Sequence, residues 1–291
     1  MERWEISSED EDYPKELLPL NHPPEIIYGM GDRSVLQQPC MSVIGARRAT
    51  PYGMAIAEMA GRCAADNNIV VVSGGALGCD YRAGMASLNA GGKTVVVAGC
   101  GADVTYPTTS AELFEAAREG RGAVISLDRW GTPPRRYAFP RRNAVIAALG
   151  KVLLVTEAGL CSGTMSTAEF ANSLGKTIYA IPGSIFSPAS AGTNRLISEG
   201  AQIIPDETSL GIAISLDFDC LVQEQLKQDK KLTPLLSALI ASPSRPEELA
   251  WRLSENVLTV LNSLTDYEAR GIVKRLPDGR YTPSKEFYLD S

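Results

Sequence analysis

The chain has almost no histidine. Its 291 residues include one, His22, set between an asparagine and two prolines. That scarcity excludes a Ser–His–Asp triad, a histidine-ligated metal and a histidine general base, each of which needs an imidazole among other functional groups. Cysteines at metal or redox spacing are absent too. The six present (Cys40, Cys63, Cys79, Cys100, Cys161, Cys220) form no C-x-x-C, so neither a zinc ribbon nor a dithiol motif is written here. Cys63 and Cys79 read as small buried hydrophobes. Nowhere do about 18 apolar residues run together, so no segment reads as a membrane span. The start, MERWEISSEDEDYP, lacks the basic stretch and apolar core of a secretory signal. Unpaired thiols without a signal predict a cytoplasmic location. With 44% apolar and 21% charged residues, the chain is also not a disordered one. Its length predicts two domains.

The net charge of −6 looks unsuited to a polyanionic partner, but it is unevenly spread. Residues 1–39 carry 3 basic and 9 acidic side chains, residues 40–205 carry 15 and 11, and residues 206–291 carry 10 and 14. The middle is therefore basic. Within it, Arg129, Arg135, Arg136, Arg141 and Arg142 face one acid, Asp128. A guanidinium fork matches phosphate geometry. By composition alone the cluster is either an anion site or a solvated charged loop.

The middle segment alternates short apolar runs with helical patterns. Strands are predicted at 41–45, 69–75, 93–99, 123–126, 151–156, 176–183 and 201–205. Helices are predicted between them, at about 50–66, 80–90, 110–119, 141–149, 166–174 and 193–198. The strands are Val/Ile-rich throughout and do not alternate, which signals a parallel sheet covered on both faces. The fold class is therefore α/β, a Rossmann-like, doubly wound, mainly parallel sheet. From Leu232 the pattern changes to three helices and a hairpin around Pro277-Asp278-Gly279, the outline of a winged helix. The expected layout is an acidic tail and extended lead-in (1–39), a Rossmann-like domain (40–210), a linker (211–231) and a small winged-helix-like domain (232–285).

In such a sheet, ligands bind beyond the carboxyl ends of the strands. Those ends are glycine-rich here: Gly45-Ala46-Arg47-Arg48, Ser73-Gly74-Gly75-Ala76-Leu77-Gly78, Gly99-Cys100-Gly101 and Gly159-Leu160-Cys161-Ser162-Gly163-Thr164. Glycine lets a ligand approach the backbone, and the following helix N-termini offer N–H groups to an anion. Any one loop could equally be a tight turn; four on one edge, with arginines beside them, describe a phosphate-binding rim. Other motifs fail. Gly92-Lys93-Thr94 and Gly175-Lys176-Thr177 resemble the end of a P-loop, but Ser87 and Phe170 stand where its first glycine belongs, and each lysine leads into a strand. No G-x-G-x-x-G follows the first strand. Ser173 and Lys176 match S-x-x-K without a companion motif. Glu157 is a lone carboxylate, read as an orienting hydrogen-bond acceptor.

Taken in order, several stretches resemble the DNA-processing protein A (DprA, or Smf) family: Gly45-Ala46-Arg47, SGGALGCD (73–80), GCG followed by YP (99–107), GTPPRRYAFPRRN (131–143), TEAGLCSGTMSTA (156–168), IPGS (181–184) and GTNRLISEGA (192–201). The lead-in YPKELLPLNHPPEIIYGMGD (13–32) is similar as well, so the resemblance spans roughly residues 13–210. It implies a single-stranded-DNA-binding recombination mediator that protects incoming DNA in natural transformation. It further implies loading of the recombinase RecA, a homodimer, and neither enzyme activity nor cofactor. DNA contacts are expected from Arg47, Arg48, Arg136, Phe139, Arg141, Arg142 and Asn143, with Phe139 either stacking on a base or sitting in the core. The loops at Ser73, Gly74, Gly75 and Ser162, Gly163, Thr164 are expected to donate to phosphate. The chain departs from the family in having no further helical domain before Tyr13, Gly84 where a histidine often stands, and Ala144 where another arginine usually follows. The alternative is a nucleotide-processing hydrolase, a nucleoside-monophosphate phosphoribohydrolase on a related fold, using Glu157. The acidic balance of residues 206–291 makes a partner protein as eligible as DNA for the C-terminal module.

Overall fold

The computed structural model describes residues 2–220 and 233–289. Two strands open the chain, β1 (Arg3–Ser7) and β2 (Ile26–Gly31). Strand–helix units follow: β3 (Cys40–Ile44) and α1 (Pro51–Asp66), β4 (Val70–Ser73) and α2 (Cys79–Asn89), β5 (Thr94–Ala98) and α3 (Ala111–Ala116), β6 (Gly122–Ser126) and α4 (Ala138–Leu149). Next come β7 (Val152–Val155) and α5 (Gly163–Ser173), β8 (Thr177–Ala180) and α6 (Ala191–Ser198), β9 (Gln202–Ile203) and α7 (Glu207–Phe218). Among the described residues these nine strands form one sheet, ordered β1-β2-β6-β5-β4-β3-β7-β8-β9. From β6 to β9 all neighbours are parallel, whereas β2 runs antiparallel to both β1 and β6. The sheet is the expected doubly wound, Rossmann-like one.

Both faces are covered, which is why the central strands carry no polar alternation. On one face, Ala147 and Ala148 of α4 and Ala168 and Ala171 of α5 pack over Val72, Val95, Leu153 and Val155. On the other, Ala57, Ala60 and Ala64 of α1 and Leu210 and Ala213 of α7 pack over Met41, Val43, Val71 and Leu154. Small residues let the helices lie close: a side chain at Gly61 would come within 2.3 Å of the Ala83 carbonyl oxygen on α2. The strand order reverses between β3 and β7, so the loops after these two strands diverge to opposite faces and leave a crevice between them.

The first 39 residues differ from the acidic tail and extended entry read from sequence. β1 and β2 extend the sheet, and Ile6 and Ile27 lie in the core. The Trp4 ring covers Gly29, where a Cβ would sit 2.1 Å from it, and Trp4 Nε1 donates to the Gly31 carbonyl at 2.9 Å. Only Glu5 of the nine acids lies in β1; most of the others stand in the connections, where Asp12 pairs with Arg33 and Asp32 with Lys93. A second difference is α7, which occupies part of the expected connector. Asp206 caps it by accepting from Ser209 N at 2.7 Å, and Leu210 and Ile214 are buried. Residues 211–218 of the expected linker are thus helical, and its residues 221–231 lie outside the described residues.

The C-terminal part contains α8 (Pro234–Ala241), α9 (Pro246–Leu253), α10 (Val257–Ala269), the antiparallel hairpin β10 (Val273–Arg275) and β11 (Tyr281–Pro283), and α11 (Lys285–Leu289). Leu235, Leu239, Leu249, Leu264, Val273 and Tyr281 form its own core. It returns to the sheet domain through α11: Lys285 Nζ lies 3.1 Å from Glu58 Oε1 on α1, and the Tyr288 ring meets Tyr52 edge-on with centroids 5.3 Å apart.

Candidate functional site

The rim at the crevice is built by the βα loops and by the first turns of α4 and α5. α4 begins at Ala138, three residues before the predicted start. Pro140 fits there because the first turn of a helix has no intrahelical acceptor for its N–H groups. That early start places Phe139, Arg142 and Asn143 on one short helical segment. α5 likewise begins at Gly163, so Gly163 and Thr164 are first-turn residues.

Phe139 is half-buried. Its ring rests on Gly99, where a Cβ would lie 2.8 Å away, and the Arg47 and Arg142 guanidinium carbons stand 5.7 and 5.9 Å from its centroid. Tyr106, 45% exposed, stands 5.8 Å from the same ring. Arg142 is 5% exposed and covers Gly74, where a Cβ would come within 1.5 Å of Nη1. Its Nε is sealed from solvent with no acceptor, and among the described residues it makes no hydrogen bond. Burial pushes its pKa down to about 10, opposed by the charge of Asp80. Arg141 is exposed and paired with Asp128. Arg47, Arg48, Arg135 and Arg136 project into solvent.

Beneath the rim the loops are stitched to one another. Asp80, on the first turn of α2, accepts from Gly74 N at 3.0 Å and Gly45 N at 3.4 Å. Burial raises its carboxyl above the usual carboxylate range. Cys79 N donates to the Ala46 carbonyl at 3.2 Å, and Gly78 is suited to its place because its φ is +90° and a Cβ there would also strike that same oxygen. Thr164 Oγ1 donates to the Gly45 carbonyl at 3.0 Å. Glu157 is 2% exposed and accepts from both the backbone N–H and the hydroxyl of Thr50, the N-cap of α1. Its carboxyl is also raised by burial. Glu157 is thus the orienting acceptor read from sequence.

A family model described as DNA recombination-mediator protein A matches residues 4–214. The chain belongs to that family. It is 31% identical over 283 residues to Protein Smf of Escherichia coli, covering 94% of this chain and 76% of the relative. It is 36% identical over 195 residues to the DNA processing protein DprA of Streptococcus pneumoniae, covering 67% and 68%. Among solved structures, DprA of Helicobacter pylori, described for its single-stranded-DNA binding mode, superposes with a TM-score of 0.68 at 30% identity, over 74% of this chain and 96% of that one.

Family membership gives the rim its context, and the structure places the expected contact residues in different surroundings. Arg47, Phe139, Arg142 and Gly74 come together in one cluster. Asn143 Nδ2 reaches the Gly163 carbonyl at 3.4 Å, which joins α4 to the start of α5. Arg48 and Arg136 lie on the exposed rim without a partner among the described residues. The loop 73–75 is not a free phosphate cradle: Ser73 is fully buried, Gly74 N–H is taken by Asp80, and Gly75 N–H by Ser73 Oγ at 3.4 Å. The Thr164 hydroxyl is likewise spent on Gly45, whereas Ser162 Oγ is buried with no partner. Glycine-rich loops alone cannot show whether their N–H groups face outward or inward. Two residues were missed: Asp80 was noted only as the end of the SGGALGCD stretch, and Tyr106 only by its place in the YP stretch.

Proposed function

We propose that this chain binds single-stranded DNA along the α4–α5 rim and acts as a recombination mediator that protects incoming DNA and loads RecA, as a homodimer. The observation that carries it is Arg142, a buried guanidinium without a hydrogen-bond partner, set between Gly74 and the Phe139 ring. Asp80 offsets only part of the cost of burying this charge, and a phosphate oxygen at the guanidinium offers the hydrogen-bond acceptor that the protein does not supply. Beside it, Phe139 and Tyr106 offer ring faces for unstacked bases, a sequence-tolerant contact. The DNA-binding description of the Helicobacter pylori relative supports the same reading. The C-terminal helices and hairpin are read as a winged-helix module. The hydrolase alternative has no support here, because both Glu157 oxygens are engaged by Thr50.

Fluorescence anisotropy with oligo-dT tests the reading. Phe139→Ala should weaken binding by about 1–3 kcal/mol, and Arg47→Ala should weaken it as well. Duplex binding as tight as single-strand binding, or an unchanged Arg47→Ala, refutes the site. RecA filament formation on strands coated with single-strand-binding protein tests the loading role.

A further inference from the structure

Gly74 lies between two buried charges of opposite sign. On one side the Asp80 carboxylate holds the Gly74 N–H at 3.0 Å; on the other, the Arg142 guanidinium covers the Gly74 Cα with no room for a side chain. Asp80 and Arg142 are 6% and 5% exposed. They do not form an ion pair within 4 Å, so Arg142 keeps its hydrogen-bonding capacity free. Charges at such depth interact more strongly than across water. The same carboxylate also holds Gly45 N–H, the residue that begins the Arg47–Arg48 loop. One side chain thus fixes the loops after β3 and β4 from below and stands beneath the guanidinium that covers Gly74.

We propose that Asp80 is the positioning residue of the phosphate site at Arg142. It acts through the Gly74 backbone and its own charge, and touches no nucleotide. The inference rests on the single-stranded-DNA reading above. It differs from a general structural role in one respect: its effect on DNA passes through Arg142, and running the cycle in an Arg47→Ala background removes any part that passes through the Gly45 loop.

The experiment is a double-mutant cycle on the full chain, with Asp80→Asn, Arg142→Met and both together. Oligo-dT affinity is measured over a range of salt concentrations. Each single variant should bind roughly tenfold more weakly, as expected for losing a hydrogen bond to a charged group. Each should also lower the steepness of the log–log salt dependence by about 0.7, the share of one phosphate on a single strand. The double variant should bind no worse than Arg142→Met alone. An Asp80→Asn protein that binds like the wild type, or effects that add in the double variant, overturns the proposal. Where Asp80→Asn fails to fold, Asp80→Glu keeps the charge and shifts it by one methylene, and the same additivity decides. A wild-type chain that binds no oligo-dT refutes the DNA reading itself, and the proposal with it.

Discussion

Gly74 shows how much one missing side chain decides. Replacing it with alanine would drive a methyl into the Arg142 guanidinium. The methyl would meet only the free end of a flexible side chain, which can swing aside. Gly74→Ala should therefore displace Arg142 and weaken oligo-dT binding with little change in melting temperature, and Gly163→Ala, with open space around it, should leave the melting temperature nearly unchanged as well. Glu157 gives a pH prediction. Burial raises its carboxyl, so the folded state holds the proton more tightly than the unfolded chain. The associated stability is complete below the unfolded value, about 4.3, and is lost as pH rises through the folded one. Relative to wild type, Glu157→Gln should gain melting temperature as pH increases across that window, as followed by calorimetry. The glycines and the Phe139–Arg142 cluster were legible in sequence. The inward turn of the Gly74 N–H was not, because it depends on an acid six residues later whose direction only the α2 start fixes.

At the scale of elements, strand–helix units were readable because each needs only local pattern: an apolar β-branched run, then a cap and a 3.6-residue period. β1 was not, because a strand with one residue in the core has no run to read. Ile6, fully buried, and Trp4, half-buried over Gly29, anchor it. Trp4→Ala should cost about 0.5–3 kcal/mol and speed hydrogen exchange in β1 and β2 before the central strands. α11 was equally hidden, being a five-residue helix recognisable only from what it touches. Tyr288→Ala removes its edge-on contact with Tyr52, and aromatic pairs contribute about 0.5–1.5 kcal/mol. The variant should make residues 285–288 and the first turn of α1 more exchangeable, while the hairpin and α8–α10, which have their own core, stay protected.

For the molecule as a whole, segregation of charge matters more than the total. The surplus of acid in 206–291 does not belong to the C-terminal module, since residues 233–289 hold seven basic and seven acidic side chains. The argument from acidity for a protein partner of that module therefore falls away. The basic surplus sits with the rim. If about four phosphates are neutralised there, affinity for oligo-dT should fall with a log–log salt slope near −3; a flat slope would place binding elsewhere. Sequence by itself determined the class of fold, the edge of the sheet that carries the glycine-rich loops, and the family, because these follow from local periodicity and ordered motifs. Tertiary structure decided which polar groups are spent inside and which remain for a ligand. Hydrogen-bond satisfaction is a matter of what lies across the chain: Asp80 takes the Gly74 N–H, Thr50 takes Glu157, and Arg142 is left buried without an acceptor.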